Sequence, residues 1–244
     1  MDDNDNYVNI NNNTKQLRMY DWSTMPRYST VVWVASRRSG KSVMAREVLY
    51  KEIIQKRKIK QIIIVSPTLH NEDYAFIAPK YKFTEFDEDF LNSILSRQED
   101  AIKRDPEGNW DLCLVLDDIM KSTDTKTRDI LSRLFTLSRH YRLYVFFSVQ
   151  SIRFEYTPIM RLNTDIVVLF KTNNFENKKE ITNLWLGFGE KDDRASGLVM
   201  LDKIAQGYRT MVIDNTKMTS ELTDFVFYYQ TDINKSVPKN YYLD

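Results

Sequence analysis

ASRRSGKS, residues 35–42, stands between an apolar run, VVWV (31–34), and a helix-like stretch that begins VMAREVLY (43–50). Strand, glycine-containing loop, helix is the order in which a backbone can cradle phosphate. Gly40 lets the chain curl, so that successive N–H groups and the helix start converge on an anion. Lys41 has the length to reach β- and γ-phosphates, and the Ser42 hydroxyl is a hard oxygen suited to Mg2+. The phosphate-loop candidates are therefore Ala35, Ser36, Arg37, Arg38, Ser39, Gly40, Lys41, Ser42 and Val43, with ATP and Mg2+ as the cofactors expected there. Two features depart from the usual loop. Ala35 replaces a leading glycine, and Arg37 and Arg38 occupy the middle, facing either solvent or a neighbouring subunit's nucleotide.

Outward from this loop the chain alternates. Short β-branched or aromatic runs occur at 29–35, 61–67, 112–118, 143–150, 165–171 and 208–214, with a last one at 224–230. Helix-length stretches lie at 41–57, 87–104, 125–141 and 176–187. Most strand runs are continuously apolar rather than alternating, as expected when helices cover both sheet faces. The expected class is α/β, with a mostly parallel central sheet flanked by helices. Residues 21–235 read as one domain. Residues 1–20 (polar and Asn-rich at the start) read as a disordered or extended segment, and 236–244 as a tail.

The run LCLVLDD (112–118) ends in two carboxylates. At the end of a buried strand facing a phosphate loop, Asp117 would hold the water shell of Mg2+. Asp118 would orient or deprotonate an attacking water. LYVFFSVQ (143–150) turns polar at Ser148 and Gln150, and ligands of open α/β sheets bind beyond the carboxyl ends of the strands. Gln150 is thus placed to touch the attacking water or the γ-phosphate. Arginines cluster nearby in sequence, at Arg139, Arg142, Arg153 and Arg161. Arg161 is the first candidate for a charge supplied to a neighbouring subunit's nucleotide, and Arg153 the second.

Composition narrows the alternatives. With 35 basic and 34 acidic residues the net charge is +1, so bulk electrostatics neither demands nor excludes nucleic acid. Cys113 is the single cysteine, which forbids an intramolecular disulfide, and His70 and His140 are too far apart to suggest a ligand cluster. Apolar runs fall far short of a membrane span, and the acidic N-terminus is unlike a secretory signal. A reducing, intracellular setting is expected. The basic run at 51–60 closes the first helix, where cations suit the helix end better than they suggest DNA binding. Two other functions fit parts of this pattern. A kinase of a nucleoside or small metabolite would share the loop but has less need of Asp118. A non-hydrolysing assembly protein would need only the nucleotide.

Taken in order, ASRRSGKS, IIIVSPT, LCLVLDD, the strand ending SVQ, and PIMRLNTDIVVLFK resemble the genome-packaging ATPases of nucleocytoplasmic large DNA viruses. These poxvirus-type proteins belong to the FtsK/HerA superfamily of P-loop DNA translocases. The resemblance covers roughly residues 28–214 and implies a RecA-like core of the ASCE type. It also implies a homo-oligomeric ring and ATP-driven movement of double-stranded DNA into a capsid. The family's phosphate-loop roles carry onto Gly40, Lys41 and Ser42, its acidic pair onto Asp117 and Asp118, and its glutamine sensor onto Gln150. Arg161 matches a recurring Arg-x-Asn position. A capsid or membrane protein of the virion would be a further partner, and the host cytoplasm, its viral factories or the virion the location. One departure concerns the second acid, which is Asp118 where related motors commonly carry glutamate.

Overall fold

The strand before the phosphate loop, β3 (Thr30–Val34), lies inside an eight-stranded sheet of the computed structural model. The structure describes residues 7–9, 16–59, 61–68, 74–119, 125–186 and 193–233. The other strands are β4 (Gln61–Val65), β5 (Lys82–Phe83), β6 (Leu112–Leu116), β7 (Leu143–Val149), β8 (Ile166–Leu169), β9 (Arg209–Asp214) and β10 (Val226–Gln230). Their order is β10-β9-β8-β3-β7-β6-β4-β5. Every pairing from β8 to β5 is parallel, while β9 runs antiparallel to both β8 and β10. This is the mostly parallel α/β sheet expected from the apolar runs.

Both faces of the sheet are covered, and neighbouring residues divide between them. Val32 and Val34 of β3, with Leu112, Leu114 and Leu116 of β6, enter one core. That core also takes residues of α2 (Glu88–Arg104), α3 (Thr125–Leu137), α6 (Phe175–Ile181) and α7 (Asp193–Ile204). Val31, Trp33, Cys113 and Val115 point the other way, against α1 (Lys41–Val48) and the turns after it. A strand buried on both sides cannot alternate with polar residues, which is why these runs read as unbroken. Cys113 is fully enclosed, and burial pushes its thiol pKa far up, so it serves as core.

The helix expected over 41–57 comes in two parts. α1 gives way to wider π-helical turns from Leu49 to Lys56. Met44, Val48, Leu49 and Ile53 are all fully buried. Each such side chain stabilises the fold by about 1.5–3 kcal/mol, so the helix that carries the loop is firmly anchored. The basic run does what a helix end favours: Lys51 bonds Glu47 and Lys56 bonds Glu52, one turn apart.

At the N-terminus, β1 (Tyr7–Asn9) and β2 (Gln16–Arg18) pair as an antiparallel ribbon, and Leu17 and Tyr20 are buried. The tail at 236–244 lies outside the described residues, as do the last residue of the helix expected at 176–187, His70 and Lys60. The stretch over 193–204, for which sequence patterning gives no element, forms α7. The described residues also form the short helices α4 (Ile152–Glu155), α5 (Pro158–Leu162) and α8 (Leu222–Phe225). Among the described residues, no helix is long and apolar enough to cross a membrane.

Candidate nucleotide-binding site

β3, β7 and β6 are parallel neighbours, so their carboxyl ends meet at one sheet edge. In register, Val34 faces Val149, and Leu116 faces Phe147. The phosphate loop, the acid pair and the polar end of β7 therefore converge on a cleft of about 370 Å³. Residues 35–43 line it, with Ser66, Thr68, Tyr74, Asp117, Asp118, Gln150 and Tyr208. Because β7 lies between β3 and β6, Gln150 at its end reaches Asp118.

Lys41 is the hub. Its Nζ donates to Asp117 Oδ1, to Asp118 Oδ1 at 3.1 Å and to Ser148 Oγ at 2.9 Å. Burial pulls the Lys41 pKa down, but the two carboxylates outweigh burial and hold it above the ordinary lysine range. Burial pushes Asp118 up. The Lys41 charge, with hydrogen bonds from Gln150, Lys41 and Ser148, more than reverses this, so its carboxyl stays below the usual range. Asp118 is thus an ionised acceptor at neutral pH. Gln150 Nε2 donates to its Oδ1 at 2.8 Å.

Gln150 is itself clamped. Glu155 Oε2 accepts from its backbone N–H at 2.9 Å, and Asn177 Nδ2 donates to its carbonyl at 2.7 Å. Glu155 also accepts from the Ser151 N–H at 3.1 Å, and burial raises its carboxyl pKa. Gln150 is thereby tied to α4 and α6.

Loop geometry explains the departures noted in the sequence. The Ala35 N–H donates to the Val149 carbonyl at 3.0 Å, so Ala35 continues the ladder from β3 and is buried. A side chain of that size fits, and nothing there requires glycine. Ser36 Oγ meets Thr172 Oγ1 at 2.9 Å, pinning the loop to the chain beyond β8. Arg37 and Arg38 are exposed at the cleft rim. Gly40 has φ +91° and caps α1, and a Cβ there would lie 3.3 Å from the Tyr208 ring. Gly40→Ala should therefore destabilise the chain by about 1–2 kcal/mol through left-handed strain. Thermal unfolding of the two proteins checks this.

Asp118 has φ +54°. Aspartate and asparagine tolerate that left-handed region better than longer side chains. The short acid matches the backbone that presents it.

Ser42 and Asp117 supply hard oxygens, the donor type that Mg2+ prefers. Among the described residues no group of three His, Cys, Asp or Glu side chains could hold a metal alone. This donor set fits an ion whose remaining ligands are phosphate oxygens and water.

Arg161 is not brought to this cleft. It belongs to α5, just before β8, and Ile166 at the start of β8 pairs with Val31 at the opposite end of β3 from the loop. There Arg161 Nε donates to the Tyr156 carbonyl at 3.1 Å and the guanidinium lies 5.7 Å from the Tyr156 ring. Arg153 is exposed on α4, over Phe154. Arg139 binds the buried Asp165, and Arg142 donates to the Gly108 and Pro106 carbonyls. The residues that sequence reasoning did not assign to the site are Ser66, Thr68, Tyr74, Tyr208, Glu155 and Asn177. SPT directly after IIIV was the available signal for the first two.

The chain is 30% identical over 236 residues to the "Uncharacterized protein L437" of Acanthamoeba polyphaga mimivirus, spanning 91% of this chain and 79% of that protein. It belongs to the same family as this mimivirus protein. Fold agrees. B204, the DNA-packaging ATPase from Sulfolobus Turreted Icosahedral Virus, superposes with a TM-score of 0.59 at 17% identity, over 85% of this chain and 100% of that one. The genome packaging NTPase B204 of Sulfolobus turreted icosahedral virus 2, in complex with AMPPCP, gives 0.58 at 18% identity, over 84% and 98%. No protein-family model matches. The fold is that of these viral packaging ATPases, and the cleft is built from the residues that the sequence singled out in the loop, at 117–118 and at 150.

Proposed function

We propose that this chain hydrolyses ATP with Mg2+ and uses the cycle to translocate double-stranded DNA into a capsid. The observation that carries the reading is Asp118. It is an ionised acid beside Lys41 and Gln150, held there by a backbone turn and positioned to orient water against a γ-phosphate. A kinase, which passes phosphate to a bound hydroxyl, has no comparable use for it. Mg2+, when bound, supplies positive charge to the developing charge on the phosphates. The protein's share is positional. Gly40 and the start of α1 aim N–H groups at phosphate, Lys41 carries charge to it, and Ser42 and Asp117 hold the ion's shell.

Coupling would run through Gln150, because its backbone is bonded to Glu155 and Asn177 and any shift is passed to α4 and α6. DNA as substrate is supported by the DNA-packaging activity of B204 and by the resemblance seen in the sequence. Arg161 lies too far from its own cleft to serve it. On this reading it serves the cleft of the next subunit in a homo-oligomeric ring. A capsid or virion membrane protein would anchor that ring, in the viral factory of the host cytoplasm or in the virion.

The test is phosphate release by the purified chain, with and without double-stranded DNA, beside its mass with and without nucleotide. The expected result is Mg2+-dependent turnover stimulated by DNA, and a larger assembly with nucleotide. Absence of phosphate release in both conditions overturns the motor. Turnover that appears only with an added hydroxyl acceptor would return the kinase reading.

A further inference from the structure

Tyr74 is a side chain in the cleft to which no role has been given above. It is 4% exposed, and its hydroxyl donates to Asp117 Oδ2 at 2.9 Å. The other oxygen of the same carboxylate accepts from Lys41. The Asp117 N–H donates to the Val65 carbonyl at 2.9 Å, which fixes the backbone that carries the acid. One oxygen therefore faces the phosphate lysine and the other a buried phenol, leaving the plane of the carboxylate set by two partners from different elements. Tyr74 also comes from the connection that leaves β4, the strand next to β6. Ser66 and Thr68 of that connection line the cleft too, with their hydroxyls 3.2 Å apart.

We propose that Tyr74 is a positioning residue for the metal of the ATPase cycle. Its phenol fixes the Asp117 carboxylate so that the acid can hold the water shell of a phosphate-bound Mg2+. The inference rests on the functional reading above, in which Asp117 faces the ion. Partners that orient a carboxylate near a metal are worth about 10–100-fold in metal affinity or activity. A tyrosine that merely filled space in this wall would make no such difference once its ring was kept.

The test is Tyr74→Phe, with nucleotide binding measured by a fluorescent ATP analogue in EDTA and across a Mg2+ titration. We expect affinity in EDTA to match wild type while the half-saturating Mg2+ concentration rises about 10-fold or more. In an Asp117→Asn background the same change should add nothing, because the effect passes through that carboxylate. An unchanged Mg2+ titration in Tyr74→Phe, or an equal shift with and without Asp117, overturns the proposal. 3-Fluorotyrosine at position 74 reads the same contact in a chain that retains its hydroxyl. Its fluorine resonance should move when Mg2+ joins the nucleotide-loaded protein, and a resonance that stays in place also overturns the proposal. These results are separable from failure of the ATPase reading itself. If wild type and a chain with Lys41 removed bind Mg2+ and nucleotide alike, the cleft is not the site. If wild type responds to Mg2+ and Tyr74→Phe responds identically, only Tyr74 loses its role.

Discussion

Lys41→Ala should lose turnover by at least about 10²-fold and also weaken the folded chain by about 3–5 kcal/mol. The second effect follows from where the ammonium sits. Its side chain is 13% exposed, and the partners Asp117 and Asp118 are 10% and 32% exposed. Removing the lysine leaves two carboxylates close together with much of their compensation gone, so the cost is that of buried unpaired charge rather than of one surface ion pair. The pH dependence has a definite sign. In wild type the Asp118 pKa is depressed in the folded state. Its contribution is present above the ordinary carboxylate pKa and lost as pH falls through the lower folded value. Lys41 is raised, so its contribution is complete below the ordinary lysine pKa and is lost only as pH rises through the folded value. At neutral pH both are present. Without Lys41, burial of Asp118 is no longer outweighed and its pKa should rise. The stability gap between variant and wild type should therefore be widest near neutrality and narrow as pH falls toward the carboxylate range. Denaturant unfolding at several pH values measures this. A gap independent of pH would mean that the lysine stabilises through packing alone. Asp118→Asn added to Lys41→Ala should recover part of the loss while activity stays absent.

How much of this could be read in the sequence depended on the range of the interaction. β3, β4, β6, β7 and β8 were legible because burial on both faces forces unbroken apolar runs, and Val31 to Val34 show the rule directly. The acid pair and Gln150 were legible because each ends such a run, where a parallel sheet gathers its ligands. Tyr74 and Tyr208 were not. Nothing local marks them, since their place in the cleft depends on which strand packs beside which. Arg161 was read as a charge for a neighbouring subunit's nucleotide, and the register of β8 against β3 puts it at the far end of the sheet from the loop of its own chain. The split of the first helix into α1 and π-helical turns, and the whole of α7, were likewise set by packing that no short window of sequence contains. The choice of Asp over Glu at 118 became interpretable only with its positive φ in hand.

That positive φ makes Asp118→Asn a clean chemical test. Asparagine tolerates the left-handed backbone as aspartate does and nearly matches its volume, so the turn after β6 should keep its shape. What changes is charge and basicity. The amide cannot accept a proton from water, and it no longer presents an ionised oxygen to Lys41 and Gln150. Turnover should fall by about 10²–10⁴-fold, the usual scale for removing a general base, with nucleotide affinity changed only slightly. Glutamate at the same position would keep the charge but place a longer side chain on a backbone with φ +54°, at a cost of about 1–2 kcal/mol. Asp118→Glu should therefore melt earlier than Asp118→Asn even though it is chemically closer to the wild type. Stopped-flow phosphate release, equilibrium nucleotide binding and thermal unfolding of the two variants separate these effects. If Asp118→Asn turns over at the wild-type rate, the water-positioning role is wrong. If it loses binding and turnover in equal measure, Asp118 supports the loop through Lys41 and does not act on water. Loss of turnover alone would leave Asp118 as the acid that acts on water, with Gln150 bonded to it and tied through Glu155 and Asn177 to the helices beyond.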